Sequence, residues 1–270
     1  MSKKLFCLAV AVVVIGTICL SAYLASAAPP QGKGNDRVLS KVKFIHYRQG
    51  YGKPEGTPGG GKAKDKDDGY YTYIAKGAKW KETEPYYLNS LNEDEVGFDD
   101  VLSAVADGMD EWEWYAPFDI FGSVSEPDIG QVLPSTDPEF LPGEAPVSYD
   151  EGDYRGYNTI SFGSHDNSNV IAEAMVWGYF GGPPSQREIV EAHILLNDDF
   201  EWGIVNPDDP AMVMDVQNIV THELGHCAGM GDLYKTEAID ETMFGFSGDG
   251  ETKKRDLYTG DINGITKLYE

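Results

Sequence analysis

Apolar positions recur in two rhythms along this chain. From Asp99, the residues Leu102, Val105, Ala106, Met109 and Trp112 return at helical spacing, with Asp100, Asp107, Asp110 and Glu113 mostly on the other side. This predicts an amphipathic helix. Alternation or short apolar clustering predicts strands at EPYYLNS (84–90), FDIFGSV (118–124), NTISFG (158–163), VIAEAMVWGY (170–179) and IVEAHILLN (189–197), separated by Gly, Pro, Asp and Asn. Asp209-Pro210 predicts the start of a second helix, with Val213, Val216, Val220 and Leu224 near one stripe, and Gly225 and Gly229 weaken and then end it. A last helix is predicted from Asp261 to Tyr269, with Ile262, Ile265 and Leu268 three apart and Thr259 as its cap. The order is strand, helix, several strands, then helices, and no repeat of fixed period is present.

The N-terminal part changes this picture. Lys3 and Lys4 precede an uncharged apolar run from Leu5 to Leu24, and Ala25-Ser26-Ala27 follow at the spacing a signal peptidase accepts. Residues 1–27 therefore predict a secretory signal. The run approaches the length of a membrane span, so an uncleaved anchor with attachment to the cell surface is the alternative. Either way the remainder is expected outside the cytoplasm. Residues 28–69 include GYGKPEGTPGGGKAKDKDDG, a Gly/Pro/Lys-rich stretch that cannot bury enough apolar surface to fold alone, and predict a basic pro-segment or linker. One main domain is expected from 70 to 270.

Charge divides along the same boundary. The chain carries −24 overall; residues 28–66 hold nine Lys/Arg against Asp36, Glu55 and Asp65, a balance of +6, and residues 67–270 carry −32. Nucleic acid is excluded as a partner by that sign. Cys7 and Cys19 lie in the signal-like run, which leaves Cys227 alone in the mature chain, so no intrachain disulfide is available and stability must come from the core and from bound metal ions.

The chemistry concentrates in THELGHCAGMGDLY (221–234), which holds two of the chain's five histidines. Four residues apart on a helix, His222 and His226 project from one face and can share an ion. Gly229 lets the backbone leave the helix sharply, so Asp232 can return as a third ligand, with one position left for water. Zn2+ lowers the pKa of its bound water to about 7, and Glu223, beside a ligand, can accept that proton and pass it to a leaving amine. These are the parts of metal-assisted peptide hydrolysis. Cys227 also adjoins a ligand, but the next helical residue points about 100° away, so it is expected to pack as a small buried hydrophobe.

His222 to Asp232 resembles the signature of the metzincin metallopeptidases, HExxHxxGxx followed by His or Asp, in the Asp version of snapalysin-like enzymes. ETMFG (241–245) is similar to the clan's methionine turn and would put Met243 beneath the metal. RDLYTGDINGITKLYE resembles the C-terminal helix of matrixins, and DVQNIVTHELGH and IVEAHILLNDDFEWG also look matrixin-like. The resemblance spans roughly Lys79 to Glu270. It implies an α+β fold: a twisted mixed five-stranded sheet with an antiparallel edge strand, two long helices and a small C-terminal subdomain ending in a helix. It also implies one catalytic Zn2+ and a polypeptide substrate that pairs as an extended strand with the edge strand, here IVEAHILLN.

Two implied features have few candidates. For the second, structural zinc of matrixins only His165, Asp166 and His193 are of the right type, whereas structural Ca2+ has candidate oxygens in HDNSN (165–169) and NDDFE (197–201). The cysteine that holds many matrixins latent is not available, because no cysteine lies between Ala28 and His226. If 28–69 is a pro-segment, its positive charge could lie across the acidic domain; otherwise it is a spacer. Two other readings stay open: a secreted or cell-surface binding protein with an inactive metallopeptidase-like domain, and another zinc amide hydrolase.

Overall fold

The computed structural model describes residues 38–51, 69–83, 85–125, 158–208 and 211–270. The signal or anchor expected at 1–27, most of 28–69 and the Asp209-Pro210 pair lie outside the described residues. Among those described, no helix is long and apolar enough to cross a membrane.

The strands are β1 (Ser40–Arg48), β2 (Tyr86–Asn89), β3 (Val124–Ser125), β4 (Asn158–Gly163), β5 (Val170–Tyr179), β6 (Glu188–Asn197), β7 (Trp202–Gly203), β8 (Met214–Asp215) and β9 (Phe246–Ser247); the helices are α1 (Phe98–Glu113), α2 (Val216–Cys227) and α3 (Thr259–Tyr269). The main sheet has the order β3-β2-β4-β6-β5-β1-β9, and β7 and β8 form a separate parallel pair. Strands β3, β2, β4 and β6 run parallel, and β5 is antiparallel to β6. The five strands expected of the α+β fold are thus β3-β2-β4-β6-β5, and two more extend the sheet.

Three positions differ from the sequence expectation. IVEAHILLN is not the edge strand: β6 is interior, flanked by β4 and β5, and the antiparallel strand at the end of the five is β5. Both strands are buried almost end to end because both are covered on each face, so burial pattern alone does not separate interior from edge. FDIFGSV is mostly a bend. Ile120 and Phe121 are fully buried, but Gly122 turns the chain at positive φ and only Val124–Ser125 joins the sheet. The second helix begins at Val216, not near Asp209, because Asp215 caps it by accepting a hydrogen bond from the Asn218 amide at 2.7 Å.

Strand β1, which no sequence expectation singles out, lies within the stretch expected to be pro-segment or linker. Ser40–Arg48 pairs antiparallel with β5 along its length, and Tyr47 and Arg48 pair parallel with β9. Phe44 and His46 are its buried positions, two apart as a strand requires.

Helices α1 and α2 pack closely on the sheet. A Cβ at Gly108 would lie 2.8 Å from Thr221 Oγ1, so the glycine permits this approach, and the Trp112 indole donates to the Thr221 carbonyl at 2.7 Å. Val101, Ala104, Val105, Met109 and Trp112 face the core with Ile219, Val220 and Leu224.

Candidate metal centre

The site is built at the end of α2. The helix closes in a double hydrogen-bonded turn: the Gly229 amide donates to His226 O at 2.9 Å and the Met230 amide to Gly225 O at 2.9 Å. Gly229 sits at φ +107°, where a side chain would be strained, and a Cβ there would meet Ala78 O at 2.7 Å. The chain that leaves is then held on both sides. Gly231 N donates to Thr72 O at 2.9 Å and Leu233 N to Met243 O at 2.8 Å, so Asp232 is fixed between two pairings.

This brings the three expected ligands together. His222 Nε2 and His226 Nε2 lie 3.4 and 3.3 Å from Asp232 Oδ1, and the three ligating atoms are within 4.8 Å of one another, all on buried residues. Each imidazole is oriented by a carbonyl: His222 Nδ1 donates to Thr242 O at 2.7 Å and His226 Nδ1 to Met230 O at 3.1 Å, which leaves both Nε2 lone pairs facing inward. Tyr234 donates its hydroxyl to Asp232 Oδ2 at 2.8 Å and so turns Oδ1 toward the histidines. His222 Nε2, Asp232 Oδ1 and Glu223 Oε2 are buried without a hydrogen-bond partner in the protein. Two nitrogen lone pairs and a carboxylate converging in a buried site fit Zn2+.

The electrostatics agree. Burial pushes the His222 imidazole down to about 4, keeping it neutral as a ligand must be. The Asp232 carboxyl is held well below the usual range although burial opposes its ionisation. Glu223 is raised well above its ordinary value, first by burial and then by Asp232.

Met243 is fully buried beneath the site. A Cβ at Gly225 would fall 2.2 Å from Met243 Sδ and 2.5 Å from the Trp112 ring, so the glycine inside the motif is what admits the methionine. The turn carrying Met243 is tied to α3. Asp261 accepts from the amides of Thr242 at 2.6 Å and Met243 at 3.3 Å, and from Tyr258 at 3.1 Å. The N-terminus of α3 therefore positions Thr242, whose carbonyl orients His222. Tyr258, not Thr259, stands at the cap position, with Asp261 satisfying its amide.

The other candidates are placed apart. His193 lies on β6 with Nε2 2.8 Å from Glu191 and Nδ1 2.8 Å from the Thr159 hydroxyl, while His165 precedes β5 with Nε2 3.4 Å from Glu173. Asp166 does not join either of them in a metal-binding group among the described residues. In the two turns considered for calcium, Asn167 and Asn197 use their side-chain oxygens on the amides of Asn169 and Asp199. Cys227 is buried, and burial drives its thiol strongly upward, away from reactivity.

Sequence reasoning misses two residues at the site. His46, from β1, places Nδ1 3.0 Å from Glu223 Oε1, and its ring lies tilted at 45° against that of His222 with 4.0 Å between centroids. Lys254 is fully buried, with Nζ 2.5 Å from Phe244 O, 2.8 Å from Phe246 O and Ser247 Oγ, and 3.2 Å from His46 Nε2. The alternation Val42, Phe44, His46 is a strand signal for the first. Nothing in the run Lys253-Lys254-Arg255 distinguishes its middle residue as buried.

Residues 158–270 match the peptidase M10 family, matrixin. No curated protein matches the chain.

Proposed function

We propose that the chain is a secreted zinc endopeptidase, or a surface-anchored one if residues 1–27 are retained, a reading supported by the match of residues 158–270 to the matrixin family. The observation that carries this reading is the set of buried, unpartnered atoms: Nε2 of His222, Oδ1 of Asp232 and Oε2 of Glu223. A structural zinc has no use for the last of these. It fills its positions with protein ligands and leaves no base beside them.

His222, His226 and Asp232 would hold the ion, and zinc, when bound, supplies Lewis acidity to a scissile carbonyl and to water. Glu223 receives the proton of the attacking water and returns it to the amine nitrogen as the C–N bond breaks, so the proton count balances over one turnover. Burial raises the affinity of Glu223 for a proton, the direction a group that must accept one needs. The carbonyls of Thr242 and Met230 keep both imidazoles in one orientation throughout. The substrate is a polypeptide that lies extended against β5, joining the sheet by backbone pairing. This favours a peptide bond over a small amide.

Clearing of casein or gelatin gels by the protein should require zinc and be abolished by a chelator. Clearing that survives chelation would contradict the assignment.

A further inference from the structure

The groove beside β5 already holds an extended chain, and it is the protein's own. Strand β1 pairs antiparallel with β5 from Ser40 opposite Gly178 to Tyr47 opposite Val170, with one irregularity between His46 and Tyr47. On its other side Tyr47 and Arg48 pair with Phe246 and Ser247 of β9, and the Gln49 amide donates to Ser247 O at 2.8 Å. The segment is thus gripped by backbone on both flanks, as a bound peptide would be in a cleft between β5 and β9.

Its side chains meet the metal centre. The Phe44 ring lies flat on His226, 3.9 Å between centroids and 11° between planes, and Phe44 is fully buried. Two residues on, the His46 ring lies tilted against His222 and occupies Oε1 of Glu223, while Lys254 and the Ser247 hydroxyl hold its other nitrogen at 3.2 and 3.1 Å. Basic residues fasten the edges. Lys43 Nζ is 3.0 Å from Glu173, a buried carboxylate, and Arg48 pairs with Asp249. The positive segment and the acidic domain meet at these two points.

Resting on the metallopeptidase reading above, we propose that residues 40–48 fill the substrate groove as an internal strand, so that the chain is latent until this strand is displaced. Three consequences of the geometry support it. The outer backbone groups of β5, which a peptide needs for strand addition, are taken by β1. The oxygen of Glu223 nearest His46 is engaged by an imidazole and cannot face water. A tethered occupant also acts at an effective concentration on the order of millimolar, which an ordinary substrate would have to exceed. The latch needs no cysteine: it uses a strand, an aromatic stack and a histidine on the base.

The test compares full-length wild type with the full-length double variant Lys43→Glu/Phe44→Asp, which removes the ion pair and the stack but replaces no ligand and no base. Zinc content and amide exchange of the buried strands β4 and β6 establish that the variant is folded. Three readouts follow: exchange of residues 40–48, exchange of the β5 amides, and catalytic efficiency on a quenched fluorescent peptide library. We expect slow exchange of both segments in wild type, exchange at least 10-fold faster in the variant, and catalytic efficiency at least 10-fold higher in the variant. Exchange of residues 40–48 at the rate of an unstructured chain in wild type would overturn the proposal, and so would measurable turnover that is equal in the two proteins. If β5 opens in the variant yet neither zinc-loaded protein cleaves any peptide, the strand does fill the groove and the peptidase reading is the one that fails. A milder variant, Lys43→Glu alone, gives a partial effect in the same direction should the double variant not fold.

Discussion

Gly225→Ala sets two effects of opposite sign against each other inside the metal motif. Replacing a mid-helix glycine by alanine ordinarily stabilises a helix by about 1 kcal/mol. Here the new methyl would stand 2.2 Å from Met243 Sδ and 2.5 Å from Trp112 Cζ2, far inside ordinary contact distance, and all three residues lie in a packed interior. Overpacking of this kind costs about 1–3 kcal/mol. With two severe contacts the upper end applies, so the net loss should be about 2 kcal/mol. Guanidinium unfolding of the metal-free protein measures it directly. The cause can be isolated by repeating the substitution in a Met243→Ala background, where the sulfur is gone, so the part of the penalty due to Met243 should vanish and the part due to Trp112 should remain. Stabilisation of the otherwise wild-type protein by Gly225→Ala would mean that Met243 does not press against the helix and would refute the packing described for the site.

Asp232→Ala should lose most of the affinity for zinc, read by titration against a chromophoric chelator, whereas His165→Ala and His193→Ala should bind as wild type does; retention by Asp232→Ala would remove it from the ligand set. Cys227→Ser should keep zinc and turnover, because the thiol is buried and does not face the ligands; loss of zinc would give the thiol a role it lacks here. For Lys254→Met the informative variable is pH. Burial lowers the lysine from 10.5 to about 8, so between those values the unfolded chain binds more protons than the folded one, and folding stability supplied by this group rises with pH. Wild type should therefore gain about 3 kcal/mol over Lys254→Met between pH 8 and 10.5, at about 1.36 kcal/mol per pH unit; a gap that stays flat in urea unfolding would show that the ammonium is not desolvated.

The metal site is legible in the sequence because its geometry is local. Helical spacing puts His222 and His226 on one face, and a glycine three residues later is enough to bring Asp232 back. Strands β4 and β5 are equally plain, since NTISFG and VIAEAMVWGY match the observed bounds. What escapes is whatever depends on distant pairing. IVEAHILLN has a strand's composition, but only the pairing of β5 with β6 shows which of the two is interior. SKVKFIHYR goes unnoticed because it sits beside a Gly/Pro/Lys-rich stretch and cannot fold alone; it becomes a strand by borrowing the edges of β5 and β9. Lys254 reads as a solvated charge until the carbonyls of Phe244 and Phe246 are seen to surround it.

The central claim is that Glu223 moves a proton at a zinc held by its neighbours, and one comparison tests it: zinc content and peptide turnover with and without Glu223→Gln, both in the Lys43→Glu/Phe44→Asp background so that the groove is open. The glutamine keeps the shape and loses the base. We predict about one zinc per chain in both proteins and a kcat lower by on the order of 100-fold or more in the glutamine variant. Near-normal turnover by a folded, zinc-loaded Glu223→Gln protein would contradict the account.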